Sequence, residues 1–283
     1  MHKGPGTEFK NNPAARRRSI LRRTMFTSAV VLVPARLAST RLPEKMLANK
    51  TGKPLVQHVV ESVASSVYAR GEGGMVAVAA DHPKIAEALA PYGTRVIMTS
   101  RDHPNGTSRL AQAAELLSLG AGTIVVNAQG DEPEMSGRVI DAAVKALVNT
   151  RAYVATCCAP FVPGEDPANP NIVKVVRRPD GMALYFSRAL VPHDRDGTRL
   201  PAAAPMRHVG VYAYRVGFLR KYVALAATPL EQAEKLEQLR ILEHGYGIAV
   251  AEVDPAWLGG GGIDTPEQYE AFVKRRKALG TEH

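Results

Sequence analysis

Short runs of β-branched residues alternate with helical stretches along the first half of this chain, and no other feature restricts its fold as much. Residues 29–33 read as a buried strand, followed by a loop over 34–53. Leu55, Val56, Val59, Val60, Val63 and Val67 then recur at the spacing of an amphipathic helix. Strands expected over 75–80, 94–98 and 123–127 alternate with helices over 83–90 and 108–119. This alternation builds βαβ units and a mostly parallel sheet. The last of these strands runs into Gln129-Gly130-Asp131, and no element is assigned from there to Tyr153.

The second half is richer in strands, expected over 153–159, 172–176, 183–186, 208–214 and 248–253. A polar, Pro-rich loop spans 192–205 and a single helix is expected over 230–244. The last helix, over 265–279, carries its own start signal: Thr265 caps, Pro266 takes the first helical position and Gln268 completes a capping box. The expected fold class is α/β, a three-layer α/β/α core with a mostly parallel sheet and a β-rich insertion in the second half. Residues 25–283 form one domain, with a subdomain from about 150–250.

Charge needs placing before it is interpreted. The net charge of +9 suggests a nucleic-acid partner, but residues 1–24 hold seven cations against Glu8, six of the nine net charges. That segment has no apolar periodicity and reads as a tag or disordered extension, with Met25 the expected native start. Aromatics make up only 6%, so the basic face with interleaved aromatics of a non-catalytic nucleic-acid-binding protein, the low-ranked alternative, is not expected. No apolar run is long enough to span a bilayer. Cys157 and Cys158 are the only cysteines; neighbours on a strand face opposite ways, so they are expected as buried thiols with no structural zinc.

In parallel sheets, ligands bind beyond the carboxyl ends of strands. The loop Pro34-Ala-Arg-Leu-Ala-Ser-Thr-Arg-Leu-Pro-Glu-Lys-Met-Leu47 sits at such an end. Arg36, Arg41 and Lys45, with Ser39 and Thr40 between them, offer cations and small hydroxyls to a polyphosphate. A solvated basic loop would read the same way in isolation. The chain has no dinucleotide fingerprint or P-loop at this strand end.

That loop matches the signature P-A-R-x-x-S-x-R-L-P-x-K-x-L, and further motifs follow in order. Among them are Gly52-Lys53-Pro54-Leu55, Gly106-Thr107, Val126-Asn127, Gln129-Gly130-Asp131-Glu132-Pro133 and Asn169-Pro170-Asn171. Arg207-His208-Val209-Gly210-Val211-Tyr212, Leu236-Glu237-Gln238 and Asp264-Thr265-Pro266-Glu267 complete the series. The ordered set resembles the 3-deoxy-manno-octulosonate (Kdo) cytidylyltransferases from Val30 to the C-terminal helix.

The resemblance implies a nucleotide-diphospho-sugar transferase-like core that moves CMP from CTP to Kdo, with Mg²⁺ as cofactor. It implies a cytoplasmic homodimer serving lipopolysaccharide synthesis, with no nucleic-acid or membrane partner. The implied catalytic residues are Lys45, Asp131 and Asp264, the two aspartates holding the metal. Arg36, Ser39, Arg41, Lys45, Arg109 and Asp131 are implied for CTP. Gln129, Arg188, His208, Tyr212, Glu237 and Gln238 are implied for the sugar. His208 and Tyr212, four apart on one strand, share a face; Glu237 and Gln238 diverge on a helix, so one of them is expected to serve better than the pair. His58 is expected to be structural. Related acidic sugars, 8-amino-Kdo or sialic acid, are the alternatives within the class. Three places depart from the family's usual pattern: His193 where Trp is common, the run Gly259–Gly262, and Gln268-Tyr269 in the last helix.

Overall fold

The computed structural model describes residues 28–280, Arg199 excepted, so the expectations for residues 1–24 lie outside the described residues. β1 (Ala29–Ala35) is buried on both faces, as its unbroken apolar run requires of a central parallel strand. Then come α1 (Leu55–Val63), α2 (Val67–Arg70), β2 (Met75–Ala80), α3 (Pro83–Leu89), β3 (Val96–Met98), α4 (Gly106–Leu116) and β4 (Ile124–Asn127). The second half holds α5 (Gly137–Asn149), β5 (Val154–Pro160), β6 (Lys174–Arg177), β7 (Ala183–Ser187) and β8 (Met206–Arg215). It continues with α6 (Val216–Tyr222), α7 (Pro229–Glu234), α8 (Gln238–Glu243), β9 (Ile248–Glu252) and α9 (Pro266–Gly280).

The main sheet runs β3-β2-β1-β4-β8-β5-β9. β8 alone is reversed within it, pairing antiparallel with both β4 and β5, while β1, β2, β3 and β4 pair in parallel and β9 runs with β5. The antiparallel hairpin of β6 and β7 lies off this path and touches β8 at Lys174–Arg207. Two apolar layers enclose the sheet. One packs α1, α3 and α5 on Val31, Val33 and Val126; the other packs α4, α6 and α8 on Val30, Leu32 and Val125. Cys157 and Cys158 fall in opposite layers, both free and buried, as alternation on a strand demands.

The structure corrects three readings. The expected helix over 230–244 is two helices, because Lys235 takes a left-handed conformation (φ 54°) between them. Nothing local breaks a run so rich in helix formers. The break is imposed from β7: Arg188 Nε donates to Glu234 O at 2.7 Å, while the Glu234 carboxylate accepts from Ser187 Oγ at 2.7 Å and Arg188 N at 2.8 Å. The apolar spacing through Val67 likewise covers two helices, since Ser66 caps α2 and its hydroxyl donates to Asp141 at 2.6 Å. Finally, α5 fills the stretch left unassigned; its Val139, Ile140, Ala143, Val144 and Leu147 carry the helical period that marks it.

Candidate active site

From β1, β2 lies to one side and β4 to the other, so the loops leaving β1 and β4 diverge and open a crevice. Gly130 lets the two loops meet: a Cβ there would lie 2.7 Å from Pro34 O and 3.1 Å from Met46 Sδ. A third segment arrives from the C-terminus, where Ile263 N donates to Asp131 O at 2.8 Å. The expected capping box forms just beyond it. Gln268 Oε1 accepts from Asp264 N at 2.7 Å and Thr265 N at 3.0 Å, and Thr265 Oγ1 accepts from Gln268 N at 3.3 Å. The Gly259–Gly262 run permits this approach, since a Cβ on Gly259 (φ 61°) would lie 2.4 Å from Glu134 Cβ.

These three segments put Asp131 and Asp264 on one cation. Lys45 Nζ lies 2.8 Å from Asp131 Oδ2 and 3.0 Å from Asp264 Oδ1, and Arg41 Nη2 lies 3.0 Å from Asp264 Oδ2. Lys45 is held in a short 3-10 turn, Lys45–Leu47, and is buried. Among the described residues no three acidic, histidine or cysteine side chains gather as a ready-made metal site. Two converging carboxylates are nevertheless the donor set that suits magnesium, which fills its remaining positions with phosphate oxygens and water.

A cavity of about 580 Å³ opens on this cluster, and Arg36, Ser39, Arg41, Lys45, Arg109 and Asp131 all line it. Arg109 reaches it differently from the others. Its Nη1 donates to Thr99 Oγ1 at 2.7 Å and Ser100 O at 3.0 Å, and its Nη2 lies 3.4 Å from Asp81 Oδ2. Burial lowers the pKa of this guanidinium despite the Asp81 charge beside it. Asp81 in turn accepts from Leu37 N at 2.9 Å through Oδ1. The buried Arg109–Asp81 pair therefore holds the start of the β1 loop. Sequence reasoning passed over Asp81, although its position directly after β2 places it at the ligand-bearing edge of the sheet.

A second cavity of about 350 Å³ adjoins the first, and Arg36, Asn105, Gly106 and Gln129 line both. His208, Tyr212, Glu237 and Gln238 line the second. His208 and Tyr212 do share a face, their rings 5.4 Å apart, although a bulge intervenes: Cys157 pairs with Val209 while Thr156 pairs with Tyr212. Two extra residues on β8 preserve the alternation where one would have reversed it. Thr156 anchors the bulge, its hydroxyl 2.7 Å from Val211 O, 3.1 Å from Val209 O and 2.9 Å from His208 Nε2. Burial pulls His208 down to about 3, so the imidazole is neutral at working pH.

Glu237 and Gln238 both reach the cavity, against the expectation that one would serve better. Glu237 is the residue before α8 and Gln238 its first, so the divergence of mid-helix neighbours does not govern them. Burial raises the Glu237 carboxyl, although Thr107 Oγ1 at 3.3 Å and Tyr222 OH at 3.5 Å both donate to it. Arg188 is not brought into either cavity. Besides Glu234 O, its guanidinium donates to Pro170 O at 3.0 Å, and a guanidinium committed to backbone carbonyls holds the Lys235 turn. His58 is structural as expected: it is buried, 2.8 Å from Thr51 Oγ1 and edge-on to Phe272 at 5.1 Å.

A cationic cavity with two converging carboxylates at the carboxyl edge of a mostly parallel sheet suits a polyphosphate, and comparison with known proteins gives the class, a nucleotidyltransferase. Residues 30–249 match the family profile described as cytidylyltransferase. The 3-deoxy-manno-octulosonate cytidylyltransferase of Neisseria gonorrhoeae (strain NCCP11945) is 46% identical over 250 residues, 86% of this chain and 96% of the relative. That of Acidovorax sp. (strain JS42) is 47% identical over 254 residues, 85% of this chain and 94% of the relative. Among solved structures, a CMP:2-keto-3-deoxy-manno-octonic acid synthetase complexed with CTP superposes with a TM-score of 0.79 at 36% identity, covering 91% of this chain and 100% of the other. A cytidylyltransferase from Leptospira borgpetersenii shares the fold at a TM-score of 0.53 and 16% identity. The chain belongs to the 3-deoxy-manno-octulosonate cytidylyltransferase family.

Proposed function

We propose that this chain transfers CMP from CTP to Kdo, forming CMP-Kdo and pyrophosphate. The observation that carries the reading is the join of the two cavities. The larger opens on the Lys45–Asp131–Asp264 cluster, the smaller holds the His208–Tyr212 face, and Arg36 and Gln129 line both. CTP takes the larger and the acidic sugar the smaller, with the anomeric hydroxyl facing the α-phosphate across that join. Arg36, Ser39, Arg41 and Lys45 hold the β- and γ-phosphates and offset the charge that builds on the leaving pyrophosphate. Asp131 and Asp264 hold magnesium, which when bound neutralises the triphosphate and acidifies the attacking hydroxyl. Gln129, His208, Tyr212, Glu237 and Gln238 orient the sugar, while Arg109 and Arg188 act from behind as supports.

Purified protein with Mg²⁺, CTP and Kdo is expected to release pyrophosphate, and none above background would refute the assignment. Asp131→Asn is expected to lose turnover by about 10²-fold or more with an unchanged circular dichroism spectrum. Turnover compared across Kdo, 8-amino-Kdo and sialic acid separates the acceptors, with Kdo expected to be the fastest. The reading extends to a homodimer in the cytoplasm supplying lipopolysaccharide assembly. Leu184 and Leu190, 56% and 45% exposed in and after β7, offer apolar surface for a second copy. No helix among the described residues is long and apolar enough to cross a membrane. Sedimentation velocity tests the dimer.

A further inference from the structure

Asn127 is the last residue of β4 and is only 4% exposed, yet its Oδ1 has no hydrogen-bond partner among the described residues. Leaving a buried amide oxygen unpaired costs about 1–3 kcal/mol, so its presence needs a reason. Directly opposite it in the antiparallel register stands Tyr212, 8% exposed, whose hydroxyl also lacks a partner of hydrogen-bonding geometry. Opposed residues on neighbouring strands project from the same face of a sheet. Here that face borders the smaller cavity, and both residues line it.

Several other polar groups of the cavity are already engaged. Gln129 Nε2 donates to Gly210 O at 3.0 Å, His208 is engaged with Thr156, and Glu237 accepts from Thr107 and Tyr222. Thr156 lies beside the Tyr212 hydroxyl, but the pair lacks hydrogen-bonding geometry, and the Thr156 hydroxyl already meets two carbonyls and His208. Burial keeps the Tyr212 phenol protonated, its pKa well above the ordinary value, so it remains a donor. An acceptor atom and a hydroxyl, on two residues opposed in the sheet, are thus buried and unpaired on the border of a cavity that adjoins the larger one.

We infer that Asn127 and Tyr212 form a paired reader of acceptor hydroxyls, with one sugar hydroxyl donating to Asn127 Oδ1 and accepting from, or standing beside one that accepts from, the Tyr212 hydroxyl. The inference rests on the proposed transfer to a polyhydroxylated acidic sugar and adds Asn127 to it as a specificity-determining residue. A site built to bond a hydroxyl rejects the analogue that lacks it, because its own buried groups are then left unpaired. Asn127 is therefore a reason why the enzyme takes a hydroxyl-rich acceptor and declines a deoxygenated one.

The test compares wild type, Asn127→Ala, Asn127→Ser and Tyr212→Phe, each assayed with Kdo and with its mono-deoxy analogues, while CTP affinity is read separately by calorimetry. Asn127→Ala is expected to lose about 10–100-fold in kcat/KM for Kdo, with CTP affinity within about twofold of wild type. For one mono-deoxy analogue, already poor with wild type, the substitution should cost nothing further; Tyr212→Phe should show the same analogue-dependent loss for that hydroxyl or its neighbour. Asn127→Ser and Tyr212→Phe keep the test open should the alanine variant fail to fold. A kcat/KM for Kdo within about twofold of wild type in all variants overturns the inference, as does an equal loss for every analogue or a parallel loss of CTP affinity. Wild type that turns over no Kdo overturns the proposed function, and this inference with it.

Discussion

Replacing Lys45 with methionine removes one ammonium from between two carboxylates while keeping most of the side chain's bulk. Asp131 Oδ2 and Asp264 Oδ1 lie 2.8 and 3.0 Å from Nζ, so they are at most the two distances laid end to end, about 5.8 Å, from each other. Two unit charges at that separation repel by about 0.7–3 kcal/mol for an effective dielectric between about 80 and 20. Asp264 is 41% exposed and keeps Arg41, itself 64% exposed, so screening favours the lower part of that range. The ammonium offsets that repulsion in wild type, and losing its two ion pairs should leave Lys45→Met about 1–2 kcal/mol less stable in urea at low ionic strength and neutral pH. Because the freed carboxylates are hard oxygen donors, millimolar Mg²⁺ should stabilise the variant more than wild type, by about 1.4 kcal/mol at ten times its dissociation constant. The assay is a set of urea curves for both proteins with and without MgCl₂, with CaCl₂ and NaCl as controls. Equal stability of the two proteins, or identical Mg²⁺ shifts in both, would refute the argument that one cation site is shared by these carboxylates.

Three further outcomes follow from the same geometry. Arg109→Leu leaves the Asp81 carboxylate, 11% exposed, without its partner; a loss of about 2–3 kcal/mol is expected by denaturation, with a raised KM for CTP as the Leu37 loop loosens, whereas Asp81→Asn should be milder. Gly259→Ala adds a Cβ at φ 61° that would meet Glu134 Cβ at 2.4 Å; a melting temperature lowered by the equivalent of about 2–4 kcal/mol is expected. His58 and His208 are held down to about 4 and about 3 by burial, so the unfolded chain takes up protons at these sites first as pH falls below about 6.5. Stability should be fully present above that pH and decline toward pH 4.5 by up to about 1.4 kcal/mol per unit for each imidazole. His208→Gln, followed by urea midpoints across that window, should have a shallower decline.

Much of the fold was legible because its elements are encoded locally. β1 is an unbroken apolar run, α9 carries its cap as Thr265, Pro266 and Gln268, and strand–helix alternation implies a parallel sheet before any contact is known. The cationic loop that lines the larger cavity was legible for the same reason, since Arg36, Ser39, Arg41 and Lys45 lie within one short stretch. The break at Lys235 was not legible, because it is made by Arg188 and Ser187 from another element, and a window over 230–244 holds only helix formers. The supporting contacts of Arg109 were hidden on similar grounds: its residue type suits a nucleotide, but only the fold reveals that its Nη1 and Nη2 reach Thr99, Ser100 and Asp81.

What the sequence determines by itself, then, is which chemical groups exist and which local conformations they favour: a cationic loop after a central strand, and two aspartates in separate turn motifs. What only the tertiary structure decides is convergence. Asp131 and Asp264 share Lys45 because β1 and β4 are neighbours in the sheet and the Gly259–Gly262 run lets the C-terminal segment close against the β4 loop. Asn127 and Tyr212 oppose each other because β8 enters the sheet reversed, beside β4. Hydrogen-bond register and close packing act between residues far apart along the chain, and no local pattern records them.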